Sequence, residues 1–173
     1  MPGRSRGALA AVLAAMLAAV VVAGPQVQGP GIAPTPSPPP SPMPGDVIPE
    51  FDASLVEGKI QHVAFPKGTS TVLLFFLSSC SHCHKMMPEW NRAFERRPPN
   101  LKVYGVILDQ EPPGFFNAMP LSFPVLRSPS RAFLQNIKVF RTPTQMRVAA
   151  GGRIEDVLVG VVDPIRLGEL FHP

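Results

Sequence analysis

Hydrophobic positions fall into three regimes along this chain. From Gly7 to Gly24 they form an uninterrupted run of Ala, Val, Leu and Met. From Pro25 to Gly45 they thin out among Pro, Gly, Ser and Gln, and beyond Asp46 they return as short runs separated by turn signals. The third regime has the pattern of a folded domain, because its apolar segments have strand or helix length and are bounded by Pro, Gly and Asn.

Within that regime Thr71 to Leu77 reads Thr-Val-Leu-Leu-Phe-Phe-Leu, a continuous run that predicts a strand buried on both faces. Ser78 to Cys83 turns small and polar at once. Lys85 to Arg96 then sets Met86, Met87, Trp90, Ala93 and Phe94 at helical spacing, with Pro88 inside as a kink, until Pro98-Pro99-Asn100 stops the helix. Leu101 to Leu108 supplies a second strand, so the three pieces form a βαβ unit with parallel strands.

Pro112 to Pro129 reads as a Pro-rich connection holding the apolar stretch Phe123 to Leu126, and Ser130 to Val139 as another helix. Thr144 to Ala149 and Val157 to Val161 read as strands of an antiparallel hairpin turned by Gly151-Gly152-Arg153. Asp163 as N-cap and Pro164 at the first helical position open a last helix through Leu170. The expected architecture is α/β with a mixed sheet of four or five strands.

The first two regimes set where the domain works. Arg4 and Arg6, with no acid beside them, followed by the apolar run, make residues 1–24 a signal peptide or an N-terminal membrane anchor. Residues 25–45 are an extended, solvated linker, and residues 46–173 the domain. The formal charge of +4 includes those two arginines; from Asp46 onward 14 basic side chains face 12 acidic ones, which gives no support to nucleic-acid binding.

Two cysteines separated by two residues allow a redox pair, a structural disulfide or part of a metal site. A structural bridge would close a four-residue loop and constrain the unfolded chain by only about 2 kcal/mol. A zinc site wants four ligands, where this chain offers Cys80, Cys83 and the scattered His62, His82, His84 and His172. Copper(I) held by both thiolates with His82 or His84 is chemically sound. The redox reading draws on position: a strand meets a helix N-terminus at Cys80, where unpaired N–H groups and the helix dipole favour a thiolate. Cys80 is then the attacking thiol and Cys83, inside the first turn, the resolving one.

Several motifs in order resemble the TlpA/ResA-like branch of the thioredoxin superfamily. They are Ile48-Pro49-Glu50-Phe51 with Leu55 and Gly58-Lys59, Cys80-Ser81-His82-Cys83 with Pro88, Leu121 to Leu126, Val139 to Thr144, and Gly151 to Ile154 with Val159-Gly160. The resemblance implies a thioredoxin fold and thiol–disulfide exchange with protein thiols or disulfides outside the cytoplasm. It implies no cofactor beyond the redox-active Cys80–Cys83 disulfide, and a membrane electron carrier as partner, with residues 7–24 as a membrane tether. It also implies a cis Thr142–Pro143 bond, with Thr142 and Pro143 binding an extended substrate segment. Such proteins are typically reductants, for example of apocytochromes c.

Three departures bear on chemistry. Leu74 stands where many thioredoxins carry a buried acid, so no carboxylate is expected beside the cysteines. Ser79 replaces a common Trp. His82, between the cysteines, resembles the histidine of DsbA-like oxidants and is expected to modulate the pair by favouring the Cys80 thiolate. The contending function from another class is a copper-binding chaperone or non-catalytic binding module on the same fold.

Overall fold

The computed structural model describes residues 40–172; the expected signal or anchor at 1–24 and residues 25–39 of the expected 25–45 linker lie outside the described residues. Within them, no helix is long and apolar enough to cross a membrane. A two-stranded hairpin, β1 (Phe51–Ser54) and β2 (Ile60–Val63), precedes the central strand β3 (Ser70–Phe76). Helix α1 (Ser81–Glu95) leads to β4 (Leu101–Ile107), α2 (Phe115–Ala118), β5 (Val125–Arg127) and α3 (Arg131–Asn136). The chain closes with β6 (Thr144–Val148), β7 (Ile154–Val159) and α4 (Pro164–Phe171).

The five-stranded sheet runs β5-β4-β3-β6-β7, with β3, β4 and β5 parallel and β6 and β7 antiparallel. This is the mixed α/β sheet expected of a thioredoxin fold. The continuous apolar run of β3 has a simple cause. Val72, Leu74 and Phe76 pack on one face with Met86, Met87 and Trp90 of α1 and Leu167, Leu170 and Phe171 of α4. Leu73 and Phe75 pack on the other with Phe133 and Ile137 and with Phe51 and Val63 of the hairpin. Alternation of side chains thus yields two cores, one per face.

Two sequence expectations need correction. The connection from Pro112 to Pro129 is more structured than its prolines imply. It contains α2 and the edge strand β5, whose Val125 and Leu126 pair with Gly105 and Val106. Three residues are too few for a periodic signal, and the pairing partner supplies what local propensity lacks. The spacer also ends earlier than composition implies. Pro42 is buried, and Gly45 donates its N–H to Ile154 O at 2.8 Å.

Helix α1 buries Cys83, Met86, Met87 and Trp90, spaced so that they share one face. Pro88 lies inside the helix on its exposed side, leaving the His84 carbonyl without its usual intrahelical donor. Trp90, fully buried, donates Nε1–H to Gln145 Oε1 at 2.8 Å, and Gln145 Nε2 donates to Gly160 O at 3.2 Å. One buried amide therefore ties α1 to β6 and to the turn after β7. Gln145→Leu orphans the indole N–H and is expected to destabilise the domain by about 1–3 kcal/mol. A urea midpoint unchanged from wild type would show that this bond contributes nothing net.

Candidate redox site

The site forms where β3 leaves the sheet. Leu108 donates to Phe76 O as the last ladder bond, Cys80 N donates to Leu77 O at 3.2 Å, and Cys80 becomes the N-cap of α1 with extended backbone (φ −85°, ψ 109°). An N-cap side chain ordinarily accepts through oxygen from an N–H two or three residues on. Here sulfur takes that place: Cys80 Sγ accepts the Cys83 N–H at 3.2 Å. The i to i+3 spacing of the cysteines is the spacing of a helix cap.

Both cysteines are free thiols, Cys83 fully buried and Cys80 partly exposed. Partial burial pushes the Cys80 thiol up. Hydrogen bonds from the Cys83 thiol, the Thr142 hydroxyl and the backbone N–H groups of Cys83 and His82 outweigh it, holding Cys80 below the ordinary cysteine value. Burial, aided by the bond to Cys80, pushes the Cys83 thiol up to about 12. A proton shared between the two sulfurs is therefore held by Cys83, and Cys80 is the group poised as thiolate.

Thr142 and Pro143 lie opposite the cysteines for a reason of register. Antiparallel pairing sets Phe75 against Thr144, so the chain before β6 passes the chain after β3. The Thr142–Pro143 bond is cis, the Thr144 hydroxyl donates to Arg141 O at 2.8 Å, and the Cys80 thiol lies 3.8 Å from Thr142 O, a long contact. Phe140, Val159 and Val161 are exposed beside this loop, and Gly160 N donates to Pro143 O.

A family model described as "AhpC/TSA family" matches residues 44–157. The chain belongs to the AhpC/TSA family. Among solved structures it is similar to MTB dsbF in its mixed oxidized and reduced forms, at 26% identity and TM-score 0.61, over 70% of this chain and 92% of that one. A putative thiol:disulfide interchange protein DsbE from Chlorobium tepidum shares the fold at 23% identity and TM-score 0.65, over 75% and 96%. So does a secreted Mycobacterium tuberculosis disulfide oxidoreductase, at 17% identity and TM-score 0.61, over 70% and 93%. No curated protein matches the sequence. The family and the paired cysteines together make this chain a thioredoxin-fold thiol–disulfide oxidoreductase, in line with the TlpA/ResA resemblance.

The other sequence-assigned groups of this AhpC/TSA-family site are placed differently from expectation. The His82 imidazole is exposed and makes no hydrogen bond among the described residues; what reaches Cys80 is the His82 backbone N–H. His84, a candidate copper ligand from sequence, is half-buried: its Nε2 lies 2.7 Å from Ser78 O and its ring 5.9 Å from Phe115. Among the described residues no group of three or more His, Cys, Asp or Glu is placed to hold a metal ion. Glu89 pairs with Arg92 on the helix surface, and His62 is exposed between Asp52 and Glu50.

The expectation that no carboxylate lies near the cysteines is overturned. Leu74 is indeed apolar core, but Asp109, just past β4, reaches Ser78, two residues before Cys80, with Oδ1 2.8 Å from Ser78 N and Oδ2 2.8 Å from Ser78 Oγ. An Asp in a polar stretch before Glu111-Pro112 carries no local mark of this role. Only the parallel register, Phe76 against Ile107, brings it level with Ser78.

The unequal thiols make a direct prediction. In the reduced protein, iodoacetamide is expected to modify Cys80 first, with a pH midpoint below that of an ordinary thiol, because protonation below that midpoint removes the nucleophile. Cys83 is expected to stay unmodified near neutral pH while the domain is folded. Mass spectrometry finding Cys83 labelled first would reverse the assignment.

Proposed function

We propose that this oxidoreductase works outside the cytoplasm as a reductase of protein disulfides, fed by a membrane thiol carrier, with cytochrome c maturation as its setting. Residues 1–24 serve as signal peptide or anchor and the Pro-rich segment that follows, up to about residue 41, as the spacer. The observation that carries the reading is the sulfur N-cap: a half-exposed Cys80 held toward the thiolate beside a buried, protonated Cys83. Localisation and direction draw on the export-like N-terminus and the TlpA/ResA resemblance, and the secreted neighbour is of the same fold.

In the reductive direction the Cys80 thiolate attacks one sulfur of a substrate disulfide, forming a mixed disulfide and releasing a substrate thiolate. Cys83 then loses its proton and attacks Cys80 Sγ, so the Cys80–Cys83 bond forms as the mixed bond breaks. Two electrons pass to the substrate, and two protons convert its sulfurs to thiols. No cofactor or metal is required, because the cysteines carry both electrons. The cis-Pro loop supplies the docking edge: an extended substrate segment lies along Thr142 and Pro143, flanked by Phe140 and Val159.

The Cys83→Ser variant is expected to accumulate mixed disulfides with exported proteins, and Cys80→Ser to accumulate none. Trapping by Cys80→Ser instead reverses the roles. In cells quenched with acid, a reductase pair is expected mainly as the dithiol. A pair found mainly as the disulfide makes the protein an oxidase.

Thiolate stabilisation favours the reduced form, so the potential is expected above the roughly −270 mV of thioredoxin. Within this reading His82 modulates the pair through its N–H. His82→Pro, which removes that donor, is expected to lower the potential, whereas His82→Ala, which keeps it, leaves the potential near wild type. Equal lowering by both assigns the effect to the imidazole.

A further inference from the structure

Every polar atom of Ser78 is engaged. Its N–H lies 2.8 and 3.1 Å from the two carboxylate oxygens of Asp109, its hydroxyl donates to Asp109 Oδ2 at 2.8 Å, and its carbonyl faces His84 Nε2 at 2.7 Å. A carbonyl can only accept, so His84 Nε2 carries the proton. Ser78 itself is buried. Between the last sheet bond at Phe76 and the N-cap at Cys80 lie only Leu77, Ser78 and Ser79, so the orientation of the backbone on either side of Ser78 sets where the Cys80 sulfur points.

Asp109 has no cationic partner among the described residues, whereas nearby Glu111 is paired with Arg127. A negative charge held at Ser78, two residues before the nucleophile, opposes a thiolate at Cys80. Its protein partners are instead the two donors of Ser78, charge-assisted bonds of the stronger kind. Position and charge therefore act on the thiol in opposite directions.

We propose that Asp109 is a positioning residue for the redox pair: acting through the N–H and hydroxyl of Ser78, with His84 holding the carbonyl of the same residue, it aims Cys80 at the Cys83 N–H and at Thr142. The proposal rests on Cys80 being the attacking thiol. Loss of the clamp loosens the hydrogen bonds that hold the thiolate, and this effect outweighs the relief of removing a negative charge.

The test is the pH profile of Cys80 alkylation in the full reduced chain, which needs neither partner nor substrate. Asp109→Ala is expected to move the profile to higher pH and to slow labelling at pH 7 by about threefold or more. Asp109→Asn, which keeps one acceptor, is expected to fall between Ala and wild type. Ser78→Ala, which keeps the N–H bonds to Asp109 and loses only the hydroxyl, is expected to shift the same way by less, and it serves as the measurement if Asp109→Ala does not fold.

A profile moved to lower pH in Asp109→Asn shows that Asp109 acts as an opposing charge and overturns the proposal. Lowered stability in Asp109→Asn and Ser78→Ala with the profile unmoved overturns it too, leaving Asp109 a structural residue only. A wild-type profile no lower than that of an ordinary thiol defeats the functional reading itself, which is a separate result.

Discussion

Strand β3 is buried on both faces and hydrogen-bonded along both edges, and the rest of the domain is arranged around that constraint. A strand so enclosed cannot bend inside the sheet without orphaning ladder bonds, so it ends abruptly and the chain turns within three residues. The turn opens α1, whose first free N–H groups point at the residue in the cap position. Placing cysteine there converts a structural necessity, the unsatisfied helix end, into a device that favours a thiolate.

The electrostatics of the pair follow from that geometry and from unequal burial. Cys83 lies on the face of α1 that packs into the sheet, so desolvation keeps its proton in place, while Cys80 stays at the rim where donors reach it. Position along the axis separates the two fates: residues three apart share a side, but Cys80 caps the open end of α1 while Cys83 lies inside the first turn against the sheet. Around them, groups from four parts of the chain converge: Thr142 before β6, Asp109 after β4, His84 on α1, and Ser78 between β3 and α1.

Much of this was legible in order along the chain. The double-sided burial of β3 shows as an unbroken apolar run, and the amphipathic α1, the Gly-rich turn before β7 and the Asp163-Pro164 start of α4 show as patterns within about one helical turn or one hairpin. Strand β5 and helix α2 were not legible. Their three and four residues carry no period, and β5 exists because β4 offers it an edge. The half-buried state of His84 was missed for a similar reason, since its acceptor is a main-chain carbonyl and sequence gives no sign of where that carbonyl points.

The sequence by itself determined that two cysteines sit three residues apart where an apolar strand passes into a helix. Cap geometry then follows, since an i to i+3 contact depends on local backbone alone. The tertiary structure decided which groups face that cap. Asp109 lies 31 residues from Ser78 and Thr142 lies 62 from Cys80. Each is brought there by strand order and register, which arise from the packing of a whole sheet between two cores and leave no trace in the residues beside them.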